Sequence, residues 1–76
     1  MKKKSKHTRT IKPSPSDVGA IRIAIMDDDD MRTYKTEPLI KKLRKENRIS
    51  VWGGELWVYE GDKSARKTAK SWFGGY

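Results

Sequence analysis

The adjacent glycines Gly53-Gly54 constrain this chain more than any other feature, because the residues on both sides alternate between apolar and polar side chains. Glycine adopts positive φ readily, and two such residues suit the tight turns that match the twist of paired strands. Residues 48–59 therefore predict a β-hairpin. The predicted cross-strand pairs are Trp52 with Glu55, Val51 with Leu56, and Ile49 with Val58.

The two faces of this predicted hairpin differ in chemistry, since cross-strand partners share a face and alternate residues along a strand do too. The aliphatic face comprises Ile49, Val51, Leu56 and Val58. The opposite face, called the aromatic face below, comprises Arg48, Ser50, Trp52, Glu55, Trp57 and Tyr59. The aromatic face has two interpretations: a platform on which nucleic-acid bases stack, or a second small core covered by residues 64–76.

A first strand is predicted before the hairpin, because residues 19–26 alternate and place three isoleucines on one face. These are Ile21, Ile23 and Ile25. The four carboxylates Asp27–Asp30 are expected to end this strand and to open a loop through Tyr34, since like charges repel one another and Asp favours turns.

A helix is predicted between that loop and the hairpin. Thr36 offers an N-cap hydroxyl, Pro38 suits the first helical turn, and the helix is expected to end near Asn47. Its apolar stripe comprises Leu39, Ile40 and Leu43. After the hairpin, residues 64–73 predict a short helix, with an irregular tail as the alternative, because the apolar stripe there is thin.

These elements predict an α+β fold in which a small three-stranded sheet, in the order 2-3-1, carries one helix on its aliphatic face. The connectivity is β-α-β-β with a possible C-terminal helix. The alternative is a winged-helix-like packing in which residues 37–47 form a recognition helix and the hairpin forms the wing. A single firm helix before the hairpin argues against that alternative.

The chain of 76 residues has a net charge of +8, which points to a polyanionic partner. Much of that charge lies at the N-terminus, where residues 1–17 hold six cations and one Asp. Residues 1–16 also contain two prolines and a single large aliphatic residue after Met1, so they predict a disordered basic arm, and residues 17–76 predict one small domain.

The candidate nucleic-acid-binding residues fall into three groups. The arm contributes Lys2, Lys3, Lys4, Lys6, Arg9 and Lys12. The helix contributes Lys41, Arg44 and Lys45, with Arg48 one turn beyond Arg44. The aromatic face contributes Trp52, Trp57 and Tyr59. Cations at these positions suit phosphates, and the rings suit bases.

Several function classes are not expected. No residue pattern places a nucleophile, base or phosphate loop, so we expect no enzyme, no cofactor and no small-molecule substrate. The run Asp27–Asp30 lacks the spacing of a calcium-binding loop and predicts no metal site, and His7 has no partner. The absence of cysteine and of a long apolar run favours a cytoplasmic location and no membrane contact.

The sequence thus predicts a small basic nucleic-acid-binding protein, of phage or bacterial accessory type, that acts by charge and aromatic stacking. An alternative of a different class is a protein-binding modulator or inhibitor that docks on an acidic surface of a larger enzyme or assembly, because Trp, Tyr and Arg are enriched at binding hot spots. The choice between DNA and RNA stays open.

Overall fold

The computed structural model describes residues 11–73. Over that range the chain forms an α+β fold with three helices and a three-stranded antiparallel sheet. The elements are β1 (Ala20–Ile25), α1 (Asp28–Thr36), α2 (Pro38–Lys45), β2 (Ile49–Trp52), β3 (Glu55–Tyr59) and α3 (Lys63–Trp72). The strand order β1-β3-β2 confirms the predicted order.

The hairpin forms in the predicted register, with Trp52 opposite Glu55 and Ile49 opposite Val58. Gly53 and Gly54 both have positive φ, of 58° and 76°. Two consecutive residues in this region give the turn whose twist matches that of the flanking strands, which is why the glycine pair sets the register.

Strand β1 departs from the predicted alternation at a bulge between Arg22 and Ala24. The extra residue shifts the remaining side chains by one position, so that Ala24 lies opposite Leu56 and is buried. Ile25 lies opposite Glu55 and is 63% exposed. The prediction that Ile25 faces the core was therefore wrong, because a bulge places two residues of one strand against one of its partner.

The run Asp27–Asp30 starts a helix, and the predicted loop through Tyr34 was wrong. Asp27 is the N-cap of α1, and it forms a capping box with Asp30 in which each side chain accepts a hydrogen bond from the other's backbone N–H. Carboxylates in a first turn also interact favourably with the helix dipole, and this outweighs their mutual repulsion in water.

The boundary between α1 and α2 falls at Glu37, so the prediction of Thr36 as an N-cap was wrong. Thr36 is the last residue of α1, and its hydroxyl donates to the carbonyl of Arg32. Pro38 occupies the first position of α2, as predicted. Asn47, with a φ of 58°, reverses the chain after α2 and leads it into β2.

The core lies between the aliphatic face of the sheet and helices α2 and α3. Ile40 and Leu43 of α2 and Ala65 and Ala69 of α3 are all buried against it. The sheet contributes Ile49, Leu56 and Val58, each with 1% exposure or less. The helix predicted over 64–73 is thus confirmed, and the two alanines bring α3 close to the sheet. The aromatic face points away from these helices.

Candidate nucleic-acid interface

The outer surface of α2 and α3 is the most basic part of the described structure. Each of the two helices carries four cations and no carboxylate. We call these residues the basic layer: Lys41, Lys42, Arg44, Lys45, Lys63, Arg66, Lys67 and Lys70. The helices contact each other, and both pack on the same face of the sheet. Their outer surfaces therefore point to the same side of the molecule.

The lysines of the basic layer are exposed because the helix periods direct them outward. On α2, Ile40 and Leu43 face the core, which leaves Lys41 and Lys45, one turn apart, in solvent. On α3, the exposed lysines follow the spacing of a single helical stripe: Lys63, Lys67 and Lys70. Within residues 11–73 the ion pairs involve Arg22, Arg32 and Arg48, and no lysine of the basic layer.

The α3 lysines were missed by the sequence interpretation. The signal was present, since residues 63–72 contain four cations and no acid. The apolar stripe of this segment predicts a helix but does not show where its cations point. Only the fold shows that α3 lies beside α2 and not across the aromatic face.

Arg44 belongs to the basic layer but is held against the protein. Its guanidinium carbon lies 5.0 Å from the centroid of the Tyr34 ring, a cation–π distance, and Nη2 donates to the carbonyl of Lys35 at 3.4 Å. Its Nε is buried without a partner among residues 11–73. Burial raises the pKa of Tyr34, and the nearby Arg44 charge acts in the opposite direction. Arg44 therefore links α1 to α2.

Arg48 forms an ion pair within the chain and is not free to bind a phosphate. It precedes β2 and turns toward the start of α3, where Nε and Nη2 donate to the two carboxylate oxygens of Asp62 at 2.9 and 2.7 Å. Nη1 donates to Glu46 at 3.1 Å and Nη2 to Ser64 at 2.6 Å. Hydrogen bonding to Asp62 raises the pKa of Arg48. The predicted pairing of Arg48 with Arg44 on one helix face was wrong, because α2 ends at Lys45.

The aromatic face is partly covered by a segment at the start of the described chain, residues 11–17, which we call the strap. Pro13 is fully buried, and its carbonyl oxygen accepts hydrogen bonds from Ser50 Oγ and, at 2.8 Å, from Trp52 Nε1. Asp17 accepts a hydrogen bond from the Tyr59 hydroxyl at 2.8 Å. The interpretation that the C-terminal segment covers this face was wrong as far as residue 73, because the buried side of α3 faces the aliphatic core.

The three aromatic side chains proposed to stack on bases differ in their exposure and in their hydrogen bonds. Trp52 is 46% exposed, so one side of its ring stays accessible while its Nε1 is engaged. Trp57 is half-buried, and its Nε1 is buried without an acceptor among residues 11–73. Tyr59 is half-buried and its hydroxyl is bound to Asp17. A base has access mainly to Trp52.

The hairpin turn lies beside the acidic start of α1. The backbone N–H of Met26 donates to the carbonyl of Gly54 at 2.8 Å, which places the turn next to the Asp27–Asp30 run. The structure does supply the second helix before the hairpin that the winged-helix-like alternative needs. However, carboxylates beside the turn disfavour phosphate contacts by the hairpin as a wing.

The arm cations predicted at Lys2, Lys3, Lys4, Lys6 and Arg9 lie outside the described residues, as does His7. Lys12 is exposed at the start of the strap. Among residues 11–73, the side chains of His, Asp and Glu form no group of three or more placed to hold a metal ion. In the same range no helix has the length and apolar character needed to cross a membrane.

Comparison with known proteins returned no significant match: no protein-family model, no curated protein and no solved structure is similar to this chain.

Proposed function

We propose that this chain is a small basic nucleic-acid-binding protein whose main phosphate-binding surface is the basic layer. The observation that carries the proposal is that two helices in contact with each other together hold eight cations and no carboxylate within their bounds. We place it among phage or bacterial accessory proteins, and the lack of cysteine in the sequence suits the cytoplasm.

Phosphate binding by such a surface is driven by the release of counterions from the nucleic acid. The exposed lysines of the basic layer have no ion-pair partner within residues 11–73, so they can approach phosphates without breaking a bond inside the protein. The arm adds cations that need no fixed geometry. Recognition is then mainly by charge and shape.

Aromatic stacking has a smaller part in this proposal than the sequence suggested. Trp52 lies on the face of the sheet opposite to the basic layer, so a duplex held by the helices does not reach its ring. Arg48, Trp57 and Tyr59 already have partners or are partly covered by neighbouring segments. A base can stack on Trp52 only if it belongs to a single strand long enough to pass around the edge of the sheet.

The proposal is tested by fluorescence anisotropy with a labelled 20-nucleotide single strand and the corresponding duplex, at 50 and 200 mM salt. With about four to six phosphates neutralised, the duplex affinity should fall roughly 10²- to 10³-fold over this range. Quenching of tryptophan fluorescence by the duplex should be small, because the rings face away from the basic layer. Absence of binding at 50 mM salt would overturn the proposal.

A second candidate function is docking on an acidic protein surface. Leu39 of α2 is 56% exposed among the cations, and Trp72 of α3 is 41% exposed. Exposed apolar side chains within a basic surface suit a partner that combines acidic and apolar groups. Leu39→Ala separates the two functions: it should weaken a protein complex and leave the affinity for nucleic acid unchanged, since it removes no charge.

A further inference from the structure

The aromatic face already holds a proline-containing segment of this chain. Pro13 has less than 2% of its area exposed, and its carbonyl oxygen is the common acceptor for Ser50 Oγ and Trp52 Nε1. Aromatic-lined grooves that bind proline-rich peptides likewise combine aromatic side chains with buried prolines of the bound segment. The part of the aromatic face around Ser50 and Trp52, which we call the seat, is thus suited to hold such a segment.

The strap is held at one end by the backbone and ring of Pro13 and at the other by the Asp17 carboxylate, which accepts from the Tyr59 hydroxyl. Lys12 is exposed, and the hydroxyls of Ser14 and Ser16 bond to each other at 3.0 Å and not to the sheet. Pro13 and Pro15 restrict the residue before each of them, and residues 14–17 form a turn in which the Asp17 N–H donates to the Ser14 carbonyl at 3.0 Å, so the segment loses little freedom when it docks. Another proline-containing segment can make the same contacts at Ser50 and Trp52.

One donor of the seat is left without a partner by the strap. Ser50 lies opposite Trp57 across the sheet, and the Trp57 Nε1 is buried with no acceptor among residues 11–73. Buried donors without a partner are rare in folded proteins, because they lose their bond to water without replacing it. A segment that carries a second carbonyl near Trp57 satisfies this face better than the strap does.

The surroundings of the seat favour a basic, partly apolar segment over a nucleic acid. Trp52, Glu55 and Ile25 form one row across the three strands, and both Trp52 and Ile25 are exposed. The acidic start of α1 lies next to the hairpin turn at the end of this row. Glu55 is already paired with Arg22 at 2.8 Å, so the α1 carboxylates are the ones that repel phosphates and attract cations such as the lysine that precedes Pro13 in the strap.

We propose that the aromatic face is a docking site for a basic, proline-containing segment of a second protein, and that the strap occupies the site in cis until that segment displaces it. The strap joins β1 through Val18, which is 99% exposed, and Gly19, whose φ is +89°. This short link keeps the strap at an effective concentration in the millimolar range. The concentration of a competing segment must therefore exceed this value, or the segment must also bind elsewhere on the protein. The proposal does not depend on nucleic-acid binding, because it uses the opposite side of the sheet.

The test uses the full chain with Pro13→Ala and a labelled peptide that has the sequence of residues 8–18. The control peptide carries alanine at the position of Pro13. Removing the ring weakens the binding of the strap to the seat, so the proline peptide should bind the variant about tenfold more tightly than it binds the unsubstituted chain. It should also bind at least about tenfold more tightly than the control peptide. Equal binding of the two peptides would overturn the proposal.

A second measurement covers the case in which Pro13→Ala does not fold. The unsubstituted chain is titrated with several millimolar proline peptide, and the indole N–H resonances of Trp52 and Trp57 are followed by NMR. Both resonances should shift with the proline peptide and not with the control peptide. If neither shifts, or if oligothymidylate shifts them and the peptide does not, the seat does not bind proline segments and the proposal fails.

Discussion

Arg48 and Asp62 form a bidentate ion pair, with donor-acceptor distances of 2.9 and 2.7 Å, that ties the start of β2 to the start of α3. The same carboxylate is the N-cap of α3, since it accepts a hydrogen bond from the backbone N–H of Ala65 at 3.2 Å. The Asp62 side chain is only 7% exposed. One carboxylate therefore holds the helix that carries half of the basic layer.

Replacing Asp62 with alanine should lower the free energy of unfolding by about 3 kcal/mol, because it removes the cap and leaves Arg48 without its main partner. Urea denaturation measures this change. Arg32→Ala is the control, since it breaks the exposed pair with Asp29 and should cost about 0.5 kcal/mol or less. If both substitutions cost the same, the Arg48–Asp62 pair contributes little to stability.

Gly54→Ala should destabilise the protein by about 1–2 kcal/mol, because Gly54 has a φ of +76° and an alanine there is strained even though space is available. Gly61→Ala is the matched control. It meets no neighbour within 4 Å and needs no positive φ, so it should change stability by less than about 0.5 kcal/mol or stabilise slightly. Equal melting temperatures for the two variants would contradict the assigned turn.

Tyr34 should make stability fall as the pH rises above its ordinary pKa of about 10. Burial raises the pKa of Tyr34 in the folded protein, so the unfolded chain loses this proton first and gains stability relative to the folded state. Below pH 10 both states keep the proton and the effect vanishes. Urea midpoints between pH 8 and 11 should fall less steeply for Tyr34→Phe than for the unsubstituted chain, and parallel curves would contradict the assignment.

Local patterns predicted the parts of the fold that depend on local chemistry. The glycine pair and the alternation around it set the hairpin register, and the strand order followed from the usual handedness of the crossover. The helix α1 was missed because Asp27–Asp30 suggested repulsion, whereas the same carboxylates cap a helix and interact with its dipole. The bulge in β1 has no signal in the alternation of its residues.

The candidate site was harder to predict because it depends on contacts between distant parts of the chain. Pro13 meets Trp52 across 39 positions in sequence, and Asp17 meets Tyr59 across 42. No local pattern indicates that residues 11–17 lie on the aromatic face. The ion pair between Arg48 and Asp62 also has no local sequence signal. The exposed positions of Lys41 and Lys45, in contrast, followed directly from the helix period.

The most direct test of the account is the salt dependence of duplex binding after removal of two cations from the basic layer. The variant Lys41→Gln with Lys67→Gln removes one charge from each helix. The control Arg22→Gln with Arg32→Gln removes two exposed charges that lie on β1 and α1 and take part in ion pairs. The slope of log affinity against log salt should flatten by about two units for the first variant and stay unchanged for the control. Equal slopes for the two variants would contradict the assignment of the α2 and α3 surface as the phosphate-binding site.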